Sequence, residues 1–134
     1  MSACLEKVKE YLLDLELVVV EEDVQEELIM VDDEENGIKN LIIDCEDPIL
    51  IVEQLIMPVP RDNQLEFFRR LLQMNATLVH GAFLLDTDAK HVFFRDTLEL
   101  GTLDKTELES SIRSLALAMA EHGSELLRFS GPSA

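Results

Sequence analysis

The sequence contains few positive charges and no long uninterrupted run of apolar residues. Its 11 lysine and arginine residues stand against 28 aspartate and glutamate residues, which gives a net charge of −17. Because an acidic surface repels phosphate groups, we expect no nucleic-acid partner; the charge favours a basic protein partner or simple solubility. No run approaches the roughly 18 apolar residues that a membrane span needs, so we expect no membrane partner either.

Cysteine is also scarce. The only two cysteines, Cys4 and Cys45, lie far apart and outside any CxxC spacing. This usage is typical of a reducing compartment, so we expect both thiols to be free and the protein to be cytoplasmic. The N-terminus lacks an apolar stretch followed by a small-residue cleavage motif, which favours the same location.

Motifs for catalysis and cofactor binding are missing as well. The sequence has no glycine-rich phosphate loop, no GxGxxG pattern and no GxSxG nucleophile turn. The three histidines, His80, His91 and His122, have no spacing typical of zinc ligands. We therefore expect no enzyme activity, no metal and no cofactor.

Two acidic turns resemble possible ion-binding or catalytic sites. The run 32–37 alternates oxygen-bearing side chains before a glycine, as a calcium loop does, but Ile43 stands where such a loop needs a bidentate glutamate. Asp86 and Asp88 lie in a turn, where aspartate bonds to nearby backbone amides. Both segments are better interpreted as hairpin turns, the first of them containing the Asn-Gly pair favoured in tight turns.

The spacing of apolar residues predicts an α+β fold: a helix, a three-stranded antiparallel meander, a second helix, a two-stranded hairpin and a long last helix. The predicted helices are 2–16, 63–75 and 104–129, and the predicted strands are 27–31, 38–45, 49–57, 78–85 and 90–95. Residues 17–20 fit either a short strand or a continuation of the first helix. We expect residues 1–129 to form one domain and 130–134 a flexible tail.

The second and last helices carry start signals. Asn63 and Asp104 are each followed three residues later by glutamate, as in a capping box. The second helix also has two adjoining apolar faces, which are Leu65, Phe68 and Leu72 on one and Phe67, Leu71 and Met74 on the other. So wide an apolar stripe indicates burial against more than one neighbour.

The strand 49–57 is apolar on both of its faces. A strand in a sheet that is covered on one face only should alternate apolar and polar residues. Either the sheet is sandwiched, or its second face meets another chain. Three helices in a chain of this length can hardly cover both faces, so we favour the second interpretation.

With this order of elements, the chain resembles the type III secretion chaperone-like (CesT-type) group and, within it, the YbjN-like proteins, which are described as sensory transduction regulators. The resemblance rests on the helix segment FFRRLLQMN (67–75), the segment LVHGAFLLD (78–86), the strand VFF (92–94) and the last helix, 108–126. It implies a non-enzymatic, acidic protein that forms a homodimer and holds an extended or partly unfolded segment of a partner protein. It fits equally well a bacterial regulatory domain that acts through dimer or small-ligand switching.

The candidate partner-binding or dimer residues lie on the third strand of the meander and in the hairpin that follows the second helix. They are Leu50, Val52, Ile56, Leu78, His80 and Leu84. The alternative is that all six are buried within one protomer.

Overall fold

The computed structural model describes residues 2–131, which form three α-helices and one six-stranded antiparallel sheet. The helices are α1 (Ala3–Asp14), α2 (Gln64–Asn75) and α3 (Lys105–Ser130). The strands are β1 (Val18–Asp23), β2 (Leu28–Asp33), β3 (Ile38–Glu46), β4 (Ile49–Pro58), β5 (Ala82–Leu85) and β6 (His91–Glu99). Their order across the sheet is β1-β2-β3-β4-β6-β5. The predicted α+β class and the order of the elements are confirmed.

The meander has four strands instead of three. The additional strand is β1, which contains most of residues 17–20, the segment for which the sequence allowed either a short strand or a continuation of the first helix. Helix α1 ends at Asp14, and Glu16 then takes a left-handed backbone conformation with φ 62° that turns the chain into the sheet. Val19 pairs with Val31 of β2 and faces the same side as that buried residue. A run of β-branched valines fits such a pleated edge.

All three helices pack on one face of the sheet, which we call the inner face. Successive side chains of a strand point to opposite faces. On β4 the side chains of Leu50, Val52 and Gln54 are buried, whereas those between them are more exposed. The helices contribute to the same core through Leu5, Leu12, Phe67, Leu71, Leu115 and Leu126. One helical layer therefore buries one face of the sheet, as the size of the chain led us to expect.

The two cysteines form a disulfide, so the expectation of free thiols is wrong. Cys4 lies on α1 and Cys45 on the inner face of β3, and their Cα atoms are 6.5 Å apart. The pair is separated by 41 residues of sequence, and only the packing of α1 over the sheet brings the two thiols together. The bond ties the first helix to the middle of the meander.

The hairpin after α2 is shifted along the sequence. The strand expected at 78–85 begins only at Ala82, because residues 76–81 form a loop against α3 and Gly81 breaks the extended conformation with φ 74°. The strand expected at 90–95 is longer than predicted and runs from His91 to Glu99. This second strand is central, since it pairs with both β4 and β5.

Only one of the two predicted helix caps forms. The Oδ1 atom of Asp104 accepts a hydrogen bond from the Glu107 amide at 2.8 Å, as predicted. Asn63 precedes α2 but makes no such bond, so the predicted capping box there is wrong. The reason is its left-handed backbone, with φ 61°, because an N-cap side chain reaches the first turn from an extended conformation.

The end of the domain stays a prediction. Helix α3 continues to Ser130, and residues 132–134 of the expected tail lie outside the described residues. Among residues 2–131, no helix combines the length and the apolar character needed to cross a bilayer.

Replacing Gly81 with alanine should destabilise the protein. A Cβ atom at this position would lie 2.5 Å from Cζ of the buried Phe94 ring and 3.0 Å from the Arg95 carbonyl oxygen, at a φ that disfavours alanine. We expect Gly81→Ala to lower the free energy of unfolding by about 3 kcal/mol, measured by urea denaturation. Gly101→Ala is the control, since a Cβ there meets no atom within 4 Å, and it should change stability by less than about 0.5 kcal/mol. Equal stability of both variants would contradict the crowding at Gly81.

Candidate binding surface

The outer face of the sheet, which is the face turned away from the helices, carries a continuous set of apolar side chains. Met30 pairs with Ile42 across β2 and β3, and Leu55 pairs with Phe93 across β4 and β6. The outer face consists of Leu28, Met30, Ile42, Asp44, Ile51, Glu53, Leu55, Leu84, Phe93 and Arg95. Most of its apolar members are half-buried by their neighbours in the sheet, and Leu55 is 54% exposed.

Two of the six predicted contact residues lie on the wrong face for binding a partner. Leu50 and Val52 are fully buried beneath the helices, where they pair with Cys45 and Ile43 of β3. Their assignment to an accessible face is therefore corrected. The cause is the alternation of β4, because both of its faces are apolar and the sequence does not tell which one the helices cover.

Two other predicted residues, Ile56 and Leu84, do lie at the outer face. Leu84 pairs with Phe93, and Ile56 sits at a β-bulge between Leu55 and Met57. Ile56 helps to line a shallow cleft of about 530 Å³. The remaining lining residues include Met30, Lys39, Ile42, Leu55 and Phe93. The bulge turns β4 locally and adds one more apolar side chain to this cleft.

The polar members of the outer face are two carboxylates, Asp44 and Glu53, and the guanidinium of Arg95, which is paired with Glu53. Asp44 lies between Leu28 of β2 and Ile51 of β4, and one of its carboxylate oxygens, Oδ1, is buried without a hydrogen-bond partner among the described residues. Burial and the nearby charges of Glu46 and Glu26 raise the pKa of the Asp44 carboxyl to about 6. Ionising this carboxyl is therefore costly while the face is uncovered.

The last two predicted residues, Leu78 and His80, lie elsewhere, in a groove of about 580 Å³ between the loop 76–81 and α3. Its lining includes Thr77, Val79, Ser110, Arg113, Leu117 and Glu121. Val79 and Leu117 are 87% and 62% exposed. The six predicted residues thus fall into three places and do not form one site.

Two side-chain hydrogen bonds hold the loop 76–81 against α3. Ser114 Oγ donates to the His80 carbonyl oxygen at 2.6 Å. Thr77 Oγ1 donates its single proton to the Met74 carbonyl and lies 2.9 Å from Nε2 of the buried His122. His122 Nε2 must then be the donor in that contact. His122 thus acts as a structural residue that fixes the loop 76–81 against α3.

The two edges of the sheet differ in accessibility. At β5, the side chain of Asn75 accepts from the Phe83 amide at 2.7 Å and donates to the Phe83 carbonyl at 3.0 Å, as a neighbouring strand would. That edge is therefore occupied at its centre. At β1, Val18 and Val20 are 63% and 50% exposed, and acidic residues follow them. Exposed apolar residues on an edge strand favour pairing with another chain.

The two acidic turns are turns in the structure. Lys39 Nζ bonds to Glu34 at 2.7 Å and to Asp32 at 3.4 Å, which raises the pKa of Lys39 and compensates the first acidic turn. Asp86 accepts from the Lys90 and His91 amides at 2.7 and 3.1 Å, and the bond from the His91 ring lowers the pKa of Asp86. Among residues 2–131, no group of three or more His, Cys, Asp or Glu side chains could hold a metal ion.

The profile of the CesT_Tir_1 family matches residues 1–132, so the chain belongs to this family. None of the curated proteins matches it. The predicted resemblance to the secretion chaperone-like group is confirmed, and the chain has a fold associated with a chaperone-like binding role.

Solved structures share the fold at low sequence identity. YbjN from E. coli superposes with a TM-score of 0.70 at 15% identity, covering 91% of this chain and 92% of YbjN. The type III secretion chaperone SycH of Yersinia pestis, solved with a fragment of YscM2, gives 0.61 at 18% identity over 88% of this chain and 98% of its own. The HopA1-SchA chaperone-effector complex gives 0.62 at 13% identity, covering 86% of this chain and 89% of that one.

A pair of glutamate substitutions on β4 would test which face is accessible. Val52→Glu places an unpaired charge in the core, so we expect it to lower the free energy of unfolding by more than about 4 kcal/mol and to abolish folding. Leu55→Glu, three residues away on the outer face, should fold with a near-native circular dichroism spectrum and lose less than about 1 kcal/mol. A folded Val52→Glu variant would contradict the assignment of the two faces.

Proposed function

We propose that this protein is a non-enzymatic, chaperone-like module that holds an extended or partly unfolded segment of a partner protein on the outer face of its sheet. The observation that carries the proposal is the uncovered apolar face around Leu55, on the side opposite to the helices. Apolar surface of this kind on a soluble domain favours a protein contact. Membership of the CesT_Tir_1 family supports a binding role.

An extended segment suits this surface for two reasons. Its alternating side chains would lie in the shallow cleft lined by Ile42, Leu55 and Phe93. A further stretch of the same segment could pair its backbone with β1, an edge on which no side chain of residues 2–131 bonds to the backbone as that of Asn75 does on β5. Main-chain bonds would then supply affinity, and the cleft would supply selectivity.

Peptide binding tests the proposal directly. A labelled, unstructured peptide of about 13 residues, alternating leucine and serine, would span roughly 43 Å when extended. We expect its fluorescence anisotropy to rise on titration with the protein. Leu55→Glu should weaken this binding about ten-fold, because it places a charge where the peptide would cover an apolar side chain.

The matched control is Leu13→Glu, which changes an equally exposed leucine, 61% accessible, on α1. It should bind the peptide as the native protein does. Absence of binding to the native protein, or equal weakening in both variants, would count against the outer face as the binding surface.

We further propose that the protein forms a homodimer through α2. Leu65 and Leu72 are 76% and 73% exposed and lie seven residues apart on one helix face, although the sequence predicted that this face would be buried. The adjoining face, with Phe67, is buried within the chain. A second copy related by two-fold symmetry would bury the same leucines on both copies.

Light scattering would measure the dimer. We expect a solution mass of twice 15.2 kDa for the native protein and of 15.2 kDa for Leu72→Glu, because a charge would be buried at the two-fold contact. Leu13→Glu again serves as the control and should keep the native mass. A native protein that stays monomeric at high concentration would remove the dimer from the proposal.

A second candidate function is that of a regulatory domain with a small ligand, as the YbjN-like resemblance implies. The groove of about 580 Å³ with His80, Arg113 and Glu121 in its lining favours this alternative, because it combines apolar walls with several polar groups. A melting temperature that rises with a small molecule, and no longer does so in His80→Ala, would support it.

We propose a cytoplasmic location and no cofactor as part of the same function. The disulfide argues against a cytoplasmic location, because such bonds persist mostly in oxidising compartments. The compartment therefore stays a prediction.

A further inference from the structure

Asp44 is the one charged side chain on the outer face that lies in a row with two apolar neighbours. Its cross-strand partners are Leu28 on one side and Ile51 on the other. Neighbouring strands lie about 4.8 Å apart, so the three side chains form a short line across the sheet. The line runs apolar, acidic, apolar.

The cations near this line already have partners. Arg95 Nη2 bonds to Glu53 Oε1 at 3.1 Å across β4 and β6. Lys39, which helps to line the cleft, is bound to Glu34 and Asp32. Asp44 keeps a buried oxygen without a partner among residues 2–131, and it is surrounded by the like charges of other carboxylates. The outer face therefore lacks a positive charge at Asp44.

A second copy of this chain would not supply that charge. Each copy has a net charge of −17, and residues 1–60, which contain β1 to β4, hold 17 acidic and 3 basic residues. Two outer faces brought together would place Asp44 and Glu53 against the same carboxylates of the other copy, and like charges in contact disfavour association. A partner with basic residues has the complementary charge.

We propose that the outer face selects a partner segment in which a lysine or arginine, flanked at the second residue on each side by an apolar residue, is placed against Asp44. The inference rests on the proposed function and names the chemistry of the segment that the face prefers. In an extended chain, residues i−2, i and i+2 face the same side at intervals of roughly 6.7 Å. A segment that crosses the strands with its basic residue against Asp44 would therefore bring its two apolar residues just beyond Leu28 and Ile51, which lie about 4.8 Å away on either side.

The state of the Asp44 carboxyl fits this assignment. Its pKa is raised to about 6, mainly by burial, so the ionised form of the carboxyl is destabilised while the face is uncovered. A cation of the partner would stabilise the ionised form and provide the missing hydrogen bond to Oδ1. The contact is enclosed by Leu28 and Ile51, which exclude water and make it stronger than an exposed ion pair.

The test compares two labelled peptides that differ at one position. Both contain about 13 residues of alternating leucine and serine, with lysine in one and glutamate in the other at the central inward position. Anisotropy titrations are made at pH 8, where Asp44 is ionised. We expect the native protein to bind the lysine peptide about ten-fold more tightly than the glutamate peptide. Asp44→Asn should reduce that ratio to about two-fold, and Asp44→Lys should reverse it.

Asp88→Asn is the matched control, because it removes the same charge from an exposed turn away from the outer face. It should keep the ten-fold ratio. If Asp88→Asn lowers the ratio as much as Asp44→Asn does, the preference comes from the net charge and the inference is overturned. Asp44→Asn is nearly isosteric and decides the matter alone if Asp44→Lys does not fold.

The outcomes also separate this inference from the proposed function. Equal binding of both peptides, unchanged in Asp44→Asn, would overturn the role of Asp44 and leave peptide binding by the outer face intact. No binding of either peptide would overturn the proposed function, and the inference with it. Discrimination that depends on Asp44 and not on Asp88 supports both.

Discussion

The packing of a single helical layer on one face of the sheet is the constraint on which the rest of the structure depends. Hydrophobic burial drives the three helices onto the face that carries Leu50 and Val52, and both side chains are fully excluded from solvent. Since these three helices lie on that side, most apolar residues of the opposite face are half-buried by one another, and Leu55 is 54% exposed. The proposed binding surface thus follows from a sheet that is apolar on both faces and a single helical layer that covers one of them.

Polar side chains that are buried or half-buried hold the irregular parts of the structure in place. Gln54, on the inner face of β4, accepts from the Lys39 amide at 3.0 Å and donates to the Gly37 carbonyl at 3.2 Å, so it fixes the turn between β2 and β3. Asn75 does the same for the β5 edge, and His122 for the loop after α2. In each case one side chain satisfies backbone or hydroxyl groups that regular secondary structure leaves unpaired.

The helices and strands were predictable from local sequence patterns. Contacts between residues that are distant in sequence were not predictable. Apolar periodicity located the helices and most strands, and Asp104 was recognised as a cap because its partner is three residues away. The disulfide joins residues 41 positions apart, and no spacing rule connects them. The orientation of β4 was equally hidden, since a strand that is apolar on both faces gives no preference for either. Alternation could still have separated Leu50 and Val52 from Leu55 as members of opposite faces.

Charge and burial act together on the outer face. The segment from β1 to β4, with its turns, carries most of the excess acid, and such like charges disfavour face-to-face stacking of two copies of the chain. The same charges raise the cost of ionising Asp44 within that surface. A basic partner segment would reverse both effects at once, because it covers the apolar residues and neutralises the carboxylate. We therefore propose that the carboxylates that disfavour contact between copies of the chain are also the groups that select a basic partner segment.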